Sequence, residues 1–290
     1  MAEDWRRLYP YESRSHLVGG VRLNYVDEGR GQPLLMVHGN PTWSFYWRNL
    51  IEAFRGRRRC VAVDHVGCGM SEQPQQYDYS LRRHTDNLIE LIDALDLREA
   101  TLLAHDWGGA IGLGAVCARR DRFRQLVLFN TGAFPPHFVP LRIRLCRTPL
   151  LGRAAIRGLN LFARAALSMA VERPLDREVR AGLLAPYGNW RQRVAIWRFV
   201  RDIPFSSAHP TWQVLAQLER DIQQLDLPTQ LIWGMRDWCF NPSCLERFQQ
   251  LMPHAEVTRL EQAGHYVVED EAEQIVALLE QQLIDEPAPN

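Results

Sequence analysis

Asp106, Asp237 and His265 each follow a short apolar run, and their order is carboxylate, carboxylate, imidazole. That is the order nucleophile, acid, histidine of one known triad arrangement, with an aspartate where a serine usually stands. Asp106 lies within Ala104-His105-Asp106-Trp107-Gly108, followed by Gly109. An apolar run, a sharp turn and a small-residue helix together predict a nucleophile elbow. The usual pattern is Gly-x-Ser-x-Gly, and Ala104 is still small enough for the turn. The aspartate sets the chemistry. A serine must lose a proton before it attacks, whereas a carboxylate with a pKa of about 4 is already ionised. It can displace a leaving group from saturated carbon and form an alkyl ester. His265, as base, is then free to activate water against that ester. Asp237 would hold the imidazole in one tautomer and stabilise its charged form. The backbone N–H groups of Asn40 and Trp107 stand where an oxyanion hole is expected, and the Asn40 amide and Trp107 indole add side-chain donors. Together they would hold a departing halide or carboxylate.

These side chains need a scaffold that brings loops to one edge. Pro33–Val37, Cys60–Asp64, Thr101–Asp106, Gln125–Asn130 and Thr229–Trp233 read as buried strands, with a further strand at 256–260. Val21–Asp27 alternates and reads as an antiparallel edge strand. Leu81–Leu95 has helical spacing, as do residues near 242–251 and 270–284. Strand–helix alternation predicts an α/β fold with a mostly parallel sheet and right-handed crossovers. Loops at the carboxyl ends of such strands are where ligands bind. Asp64 reads as the anchor of the turn Val66–Ser71, which has neither the lysine nor the spacing of a phosphate loop. From Thr131 the pattern changes. Pro135, Pro136 and Pro140 break it, and helical stretches follow near 150–170, 174–185 and 189–201. This predicts a helical cap over 131–210, inserted into a core formed by 1–130 and 211–290, with apolar faces available to line a pocket. The EPAPN tail reads as frayed.

Composition limits the function classes. The chain has 290 residues, 46% hydrophobic and 23% charged, enough for one large α/β domain with an insertion. The opening residues lack the apolar core of a signal peptide, and no stretch supplies the roughly 20 apolar residues of a membrane span. The six cysteines have no metal-ligand spacing and read as free thiols of a reducing cytoplasm. Neither metal nor cofactor is expected. All 34 basic residues are arginine. Residues 131–210 hold 13 of them against four acids, a net +9, and the remainder carries −9. The plain reading is a solvated surface; the sharper one is a basic face for an acidic partner or anionic lipid head groups. Nothing beyond the arginines suggests nucleic-acid binding.

His38–Trp43 with Phe45–Arg48, Ala104–Gly109, Trp233–Asp237 and Gly264–Tyr266 resemble the haloalkane dehalogenase family of α/β-hydrolases, over nearly the whole chain. The resemblance implies the α/β-hydrolase fold, with a mostly parallel eight-stranded sheet and an inserted helical cap. Strand six ends in Asn130 rather than an acid, so Asp237 must serve. Asn40 with Trp107, and an acid after strand seven, resemble the third subfamily. The stretches Leu141–Cys146, Arg157–Met169, Leu184–Tyr187, Arg198–Pro204 and Gly234–Phe240 are similar to its β-lactone decarboxylases of bacterial long-chain olefin biosynthesis. This implies conversion of a cis-3,4-dialkyl oxetan-2-one to a cis-alkene and carbon dioxide, with Asp106 as nucleophile and no water consumed. It also implies assembly with a β-lactone synthetase and other olefin-pathway enzymes, near a membrane because the product is greasy. The alternative is a dehalogenase with the same triad and donors, completed by water. An epoxide hydrolase would need two cap tyrosines, and 131–210 contains only Tyr187.

Overall fold

In the computed structural model, which describes residues 5–283, the apolar runs form one eight-stranded sheet; the EPAPN tail lies outside the described residues. The strands are β1 (Arg14–Val18), β2 (Val21–Glu28), β3 (Pro33–Val37), β4 (Arg59–Asp64), β5 (Ala100–Asp106), β6 (Phe123–Thr131), β7 (Thr229–Gly234) and β8 (Glu256–Leu260). Their spatial order is β1-β2-β4-β3-β5-β6-β7-β8. β2 runs antiparallel to β1 and β4, and the pairings from β4 through β3 to β8 are parallel. Every residue of β3, β5 and β7 is buried, which is why these strands carry no polar alternation. Two buried clusters fill the two faces. The helices Leu81–Ala94, Trp107–Ala118 and Pro210–Ile222 pack together. Ser80 caps the first of them, its Oγ accepting from the Arg83 N–H.

The sheet has a switch point at β3 and β5. From β3 the chain moves outward to β4, then crosses back to place β5 on the other side. The loops that follow β3 and β5 therefore diverge and leave a crevice at the carboxyl edge.

Several local expectations need correction. Val21–Asp27 is not the edge, because β1 pairs outside it. β1 escaped notice because Val18 is its one buried residue, so the strand has no apolar alternation to betray it. The helices Arg48–Phe54 and Pro210–Ile222 add to the expected elements; the second begins with His209 as cap and proline at its first position. The helix expected over 270–284 is Ala272–Gln282, and a separate short helix, Val267–Asp270, precedes it across Glu271. Between β6 and β7 no strand occurs. The helix expected over 150–170 is broken at Asn160, whose φ of +56° is left-handed and tolerated by asparagine. Before the break a single turn widens into a π-turn at Ala154–Gly158. Leu141–Cys146 is an additional helix, and Arg177–Leu184 and Val194–Asp202 complete the insertion.

Candidate active site

Asp106 is the last residue of β5 and caps the helix Trp107–Ala118 from a φ of +55° and ψ of −129°. A non-glycine residue holds such a conformation only where its surroundings enforce it. Here Thr131 Oγ1 donates to the Asp106 carbonyl at 2.5 Å. The close approaches around the turn exclude side chains: a Cβ on Gly39 would lie 2.2 Å from the Asp106 Cβ, and one on Gly108 would lie 2.0 Å from the Val37 carbonyl oxygen. Gly39 and Gly108 are thus glycines because the loops after β3 and β5 are pressed together.

The Asp106 carboxylate is held at both ends. Oδ1 accepts from the Trp107 N–H and from the Asn40 N–H, the latter at 3.1 Å. Oδ2 lies 3.2 Å from His265 Nε2. On its other side His265 Nδ1 donates to Asp237 Oδ2 at 2.8 Å. Asp106, His265 and Asp237 therefore form one continuous chain of contacts, and all three are buried. Burial works against charge on His265, but the carboxylates of Asp237 and Asp106 outweigh it and hold its pKa up to about 10. Burial likewise raises Asp237, and is outweighed by the His265 charge and by the N–H groups of Cys239 and Phe240 at 2.6 and 3.1 Å; the net shift is downward. The two flanking carboxylates thus favour the protonated form of His265, whose Nε2 faces Asp106 Oδ2.

Sequence reasoning passed over several residues that build this arrangement. Asn130, at the end of β6, is no acid but supports one. Its Nδ2 donates to Asp237 Oδ2 and to the Gly234 carbonyl, both at 3.0 Å, while its Oδ1 accepts from the Gly234 N–H at 2.7 Å. It ties the end of β6 to the turn that carries Asp237; its place at a strand end was the available signal. His105 lies one residue before Asp106, and its Nε2 donates to the His265 carbonyl at 2.8 Å. Burial, and then the charge of His265, push its pKa down to about 3, so it stays a neutral donor. Arg48 and Glu269, both buried, form a bidentate pair at 2.6 and 2.7 Å. That pair clamps the loop after β3 to the short helix that follows His265. Asp64 anchors its turn as expected, accepting from Ser44, Met70 and Asn24 at 2.8, 2.9 and 2.9 Å.

A cavity of about 540 Å³ opens over Asp106. Asn40, Asp106, Trp107 and His265 form its polar floor, and Phe134, Ile143, Phe162, Val200, Leu215 and Phe240 are among the apolar side chains around them. Trp107 packs against Phe199, with ring centres 5.5 Å apart, and its indole N–H has no protein acceptor among the described residues. The Asn40 amide donates to the Ile196 carbonyl at a long 3.3 Å, and its Oδ1 is buried without a partner among the described residues. Tyr187 does not line the cavity; its hydroxyl donates to the Thr42 carbonyl at 3.2 Å. The six cysteines are free thiols.

A family model described as the alpha/beta hydrolase fold matches residues 32–151 and 183–272. The chain belongs to the α/β-hydrolase fold family, within its haloalkane dehalogenase-like group. It is 37% identical to a cis-3-alkyl-4-alkyloxetan-2-one decarboxylase of Shewanella oneidensis, over 93% of this chain and 87% of that one. It is 35% identical to haloalkane dehalogenase 2 of Mycobacterium tuberculosis, over 94% of this chain and 95% of that one. Among solved structures, the haloalkane dehalogenase DatA of Agrobacterium tumefaciens C58 superposes with a TM-score of 0.85 at 26% identity, covering 93% of this chain and 95% of that one.

Proposed function

We propose that the protein is a β-lactone decarboxylase that converts cis-3,4-dialkyl oxetan-2-ones to cis-alkenes and carbon dioxide. The observation that carries the chemistry is the state of the Asp106 carboxylate. Its Oδ1 occupies the pair of backbone N–H groups that would otherwise face a carbonyl oxyanion. Attack at the lactone carbonyl would lack that support. Attack by Oδ2 on the saturated ring carbon C4 does not need it. The C4–oxygen bond breaks, the ring opens to a carboxylate, and Asp106 becomes an alkyl ester with C4 inverted. The C3–carboxylate bond then supplies the electrons of the new double bond, carbon dioxide leaves, and the C4–Oδ2 electrons return to Asp106. Inversion followed by anti elimination gives the cis-alkene from the cis-lactone. Asp106 is a good leaving group here because the Asn40 and Trp107 N–H groups stabilise the charge it regains. No proton or water is consumed. His265, oriented by Asp237, holds Oδ2 of Asp106 in place, and the Trp107 indole and Asn40 amide receive the ring oxygen as it departs. For Asn40 this means exchanging its weak bond to Ile196.

The choice of substrate rests on the relative named as an oxetanone decarboxylase and on the apolar cavity, which suits two alkyl arms. A second reading, haloalkane dehalogenase, has support from the relatives that bear that name, since the same displacement would release halide and neutral His265 would then direct water at the ester. The purified protein is to be given a cis-dialkyl β-lactone in one vessel and a bromoalkane in another, with Asp106→Ala beside both. Alkene without halide is expected, and the variant should lose at least about 10⁴-fold in turnover. Halide without alkene would replace the proposal with the dehalogenase reading; neither product from folded protein would remove Asp106 from its role. We further propose that it works in the reducing cytoplasm with a β-lactone synthetase as its supplier; co-purification from the native cell tests that pairing.

A further inference from the structure

The 41 residues from Thr131 to Val171 contain six arginines and no aspartate or glutamate. Arg142, Arg144, Arg153 and Arg164 are exposed, Arg147 is half-buried and Arg157 is buried. None of the six takes part in an ion pair among the described residues. Several instead lie over rings, Arg147 over Phe205 at 4.2 Å and Arg153 over Trp190 at 5.3 Å. Elsewhere the pattern is different, with arginines such as Arg59, Arg119 and Arg247 paired to carboxylates.

The same stretch holds eight of the eleven large apolar side chains that stand exposed among the described residues, a concentration unlike the single scattered leucines of an ordinary surface. Leu150 and Leu151, at 82% and 78% exposure, are the extreme cases. Phe138, Leu145, Leu161 and Met169 are exposed and also line the cavity above Asp106, so the apolar surface continues inward to the site.

Uncompensated cations interleaved with bare leucines fit a surface whose anionic layer lies directly over an apolar one. That is a bilayer containing acidic phospholipid. Arginine suits the task, since its weakly hydrated fork pairs with phosphate while its stem stays in apolar surroundings. No helix among the described residues is long and apolar enough to cross a membrane, so the contact would be interfacial. We propose that the face built from Leu141–Cys146, Leu151–Arg153 and Leu161–Met169 docks on a bilayer surface rich in anionic phospholipid, with its leucines in the headgroup layer and the cavity mouth opening onto the lipid. The docking does not depend on the proposed chemistry.

Vesicle flotation of the full chain tests this, with phosphatidylcholine alone or mixed with phosphatidylglycerol. The protein floats with the mixed vesicles, and high salt releases it. Arg144→Gln with Arg164→Gln weakens binding by about fivefold per charge. Leu150→Ser with Leu151→Ser weakens it by about tenfold or more, while Leu17→Ser, an exposed leucine on β1, floats like the parent. All variants are compared at equal thermal stability, and turnover of a short-chain, water-dispersed substrate stays unchanged in the leucine pair. Failure of the parent to float with anionic vesicles overturns the proposal and leaves the face to a protein partner. Flotation indifferent to both double variants also overturns it. So does a dimer, measured by light scattering, that the leucine pair dissolves, since a second copy would then cover the face.

Discussion

The floor of the site and the helical insertion above it are built on opposite terms. On the floor, the triad side chains are buried and held by several partners each. Asp106 is held by Asn40, Trp107 and His265, and Asp237 by His265, Asn130, Cys239 and Phe240. Above it, short helices are joined by a π-turn and a left-handed asparagine, leucines face outward, and the six arginines between Thr131 and Val171 lack carboxylate partners among the described residues. The contrast teaches where each property resides. Reacting groups need a geometry fixed by several bonds at once, which only strand ends and tight turns provide. A greasy substrate needs shape and apolar surface, which tolerate looser construction. Asn40 bridges the two regions, with its backbone N–H on Asp106 and its amide on the insertion.

The sharpest break of this contrast is on the floor. Asp237→Asn should lower turnover by about 10³- to 10⁴-fold, because His265 loses the charge that orients it. An NMR titration should show the His265 pKa fall from near 10 towards its ordinary range. An unchanged titration would dissociate Asp237 from the site. Next is the clamp: Arg48→Met leaves Glu269 buried and unpaired and should cost about 3–5 kcal/mol of stability by denaturant unfolding. A loss within 1 kcal/mol, far below that range, would show that the loop after β3 holds itself.

The pH dependence comes third. The folded pKa of His265 is raised from 6.5 to about 10, so its contribution to stability is full below about pH 6.5 and disappears as pH rises through about 10. The gap in Tm between the parent and His265→Gln should therefore be widest at mildly acid pH and close in alkali. A gap that widened in alkali would contradict the charged state assigned to His265. The smallest effect belongs to the insertion. Phe162→Ala, on the cavity wall, should raise KM several-fold for long-armed substrates and change kcat by less than about tenfold. A collapse of kcat would mean that the insertion positions reacting groups after all.

Much of this was legible in the chain because the physics is local. An apolar run that is buried on both faces shows no alternation, so β3, β5, β6 and β7 stood out within a residue or two. The elbow was visible because a turn that tight restricts residue size, and the sequence supplies Ala104, Gly108 and Gly109 in order. β1 was not, since it is polar, short and buried only at Val18. The break at Asn160 was hidden because an apolar pattern continues across it, and one left-handed residue leaves no periodic trace.

The sequence by itself determined the class of fold, the identity of the attacking group and the order of the residues that serve it, because each depends on near neighbours in the chain. Tertiary structure alone decided that Asp106 and His265, 159 positions apart in the sequence, stand 3.2 Å from one another, that Asn130 supports Asp237, and that Arg48 clamps Glu269. It also decided that Phe138, Leu145, Leu161 and Met169 are exposed and at the same time line the cavity over Asp106. Contacts between distant positions follow from how strands are ordered in the sheet, and that order is settled by packing of the whole chain rather than by any stretch of it.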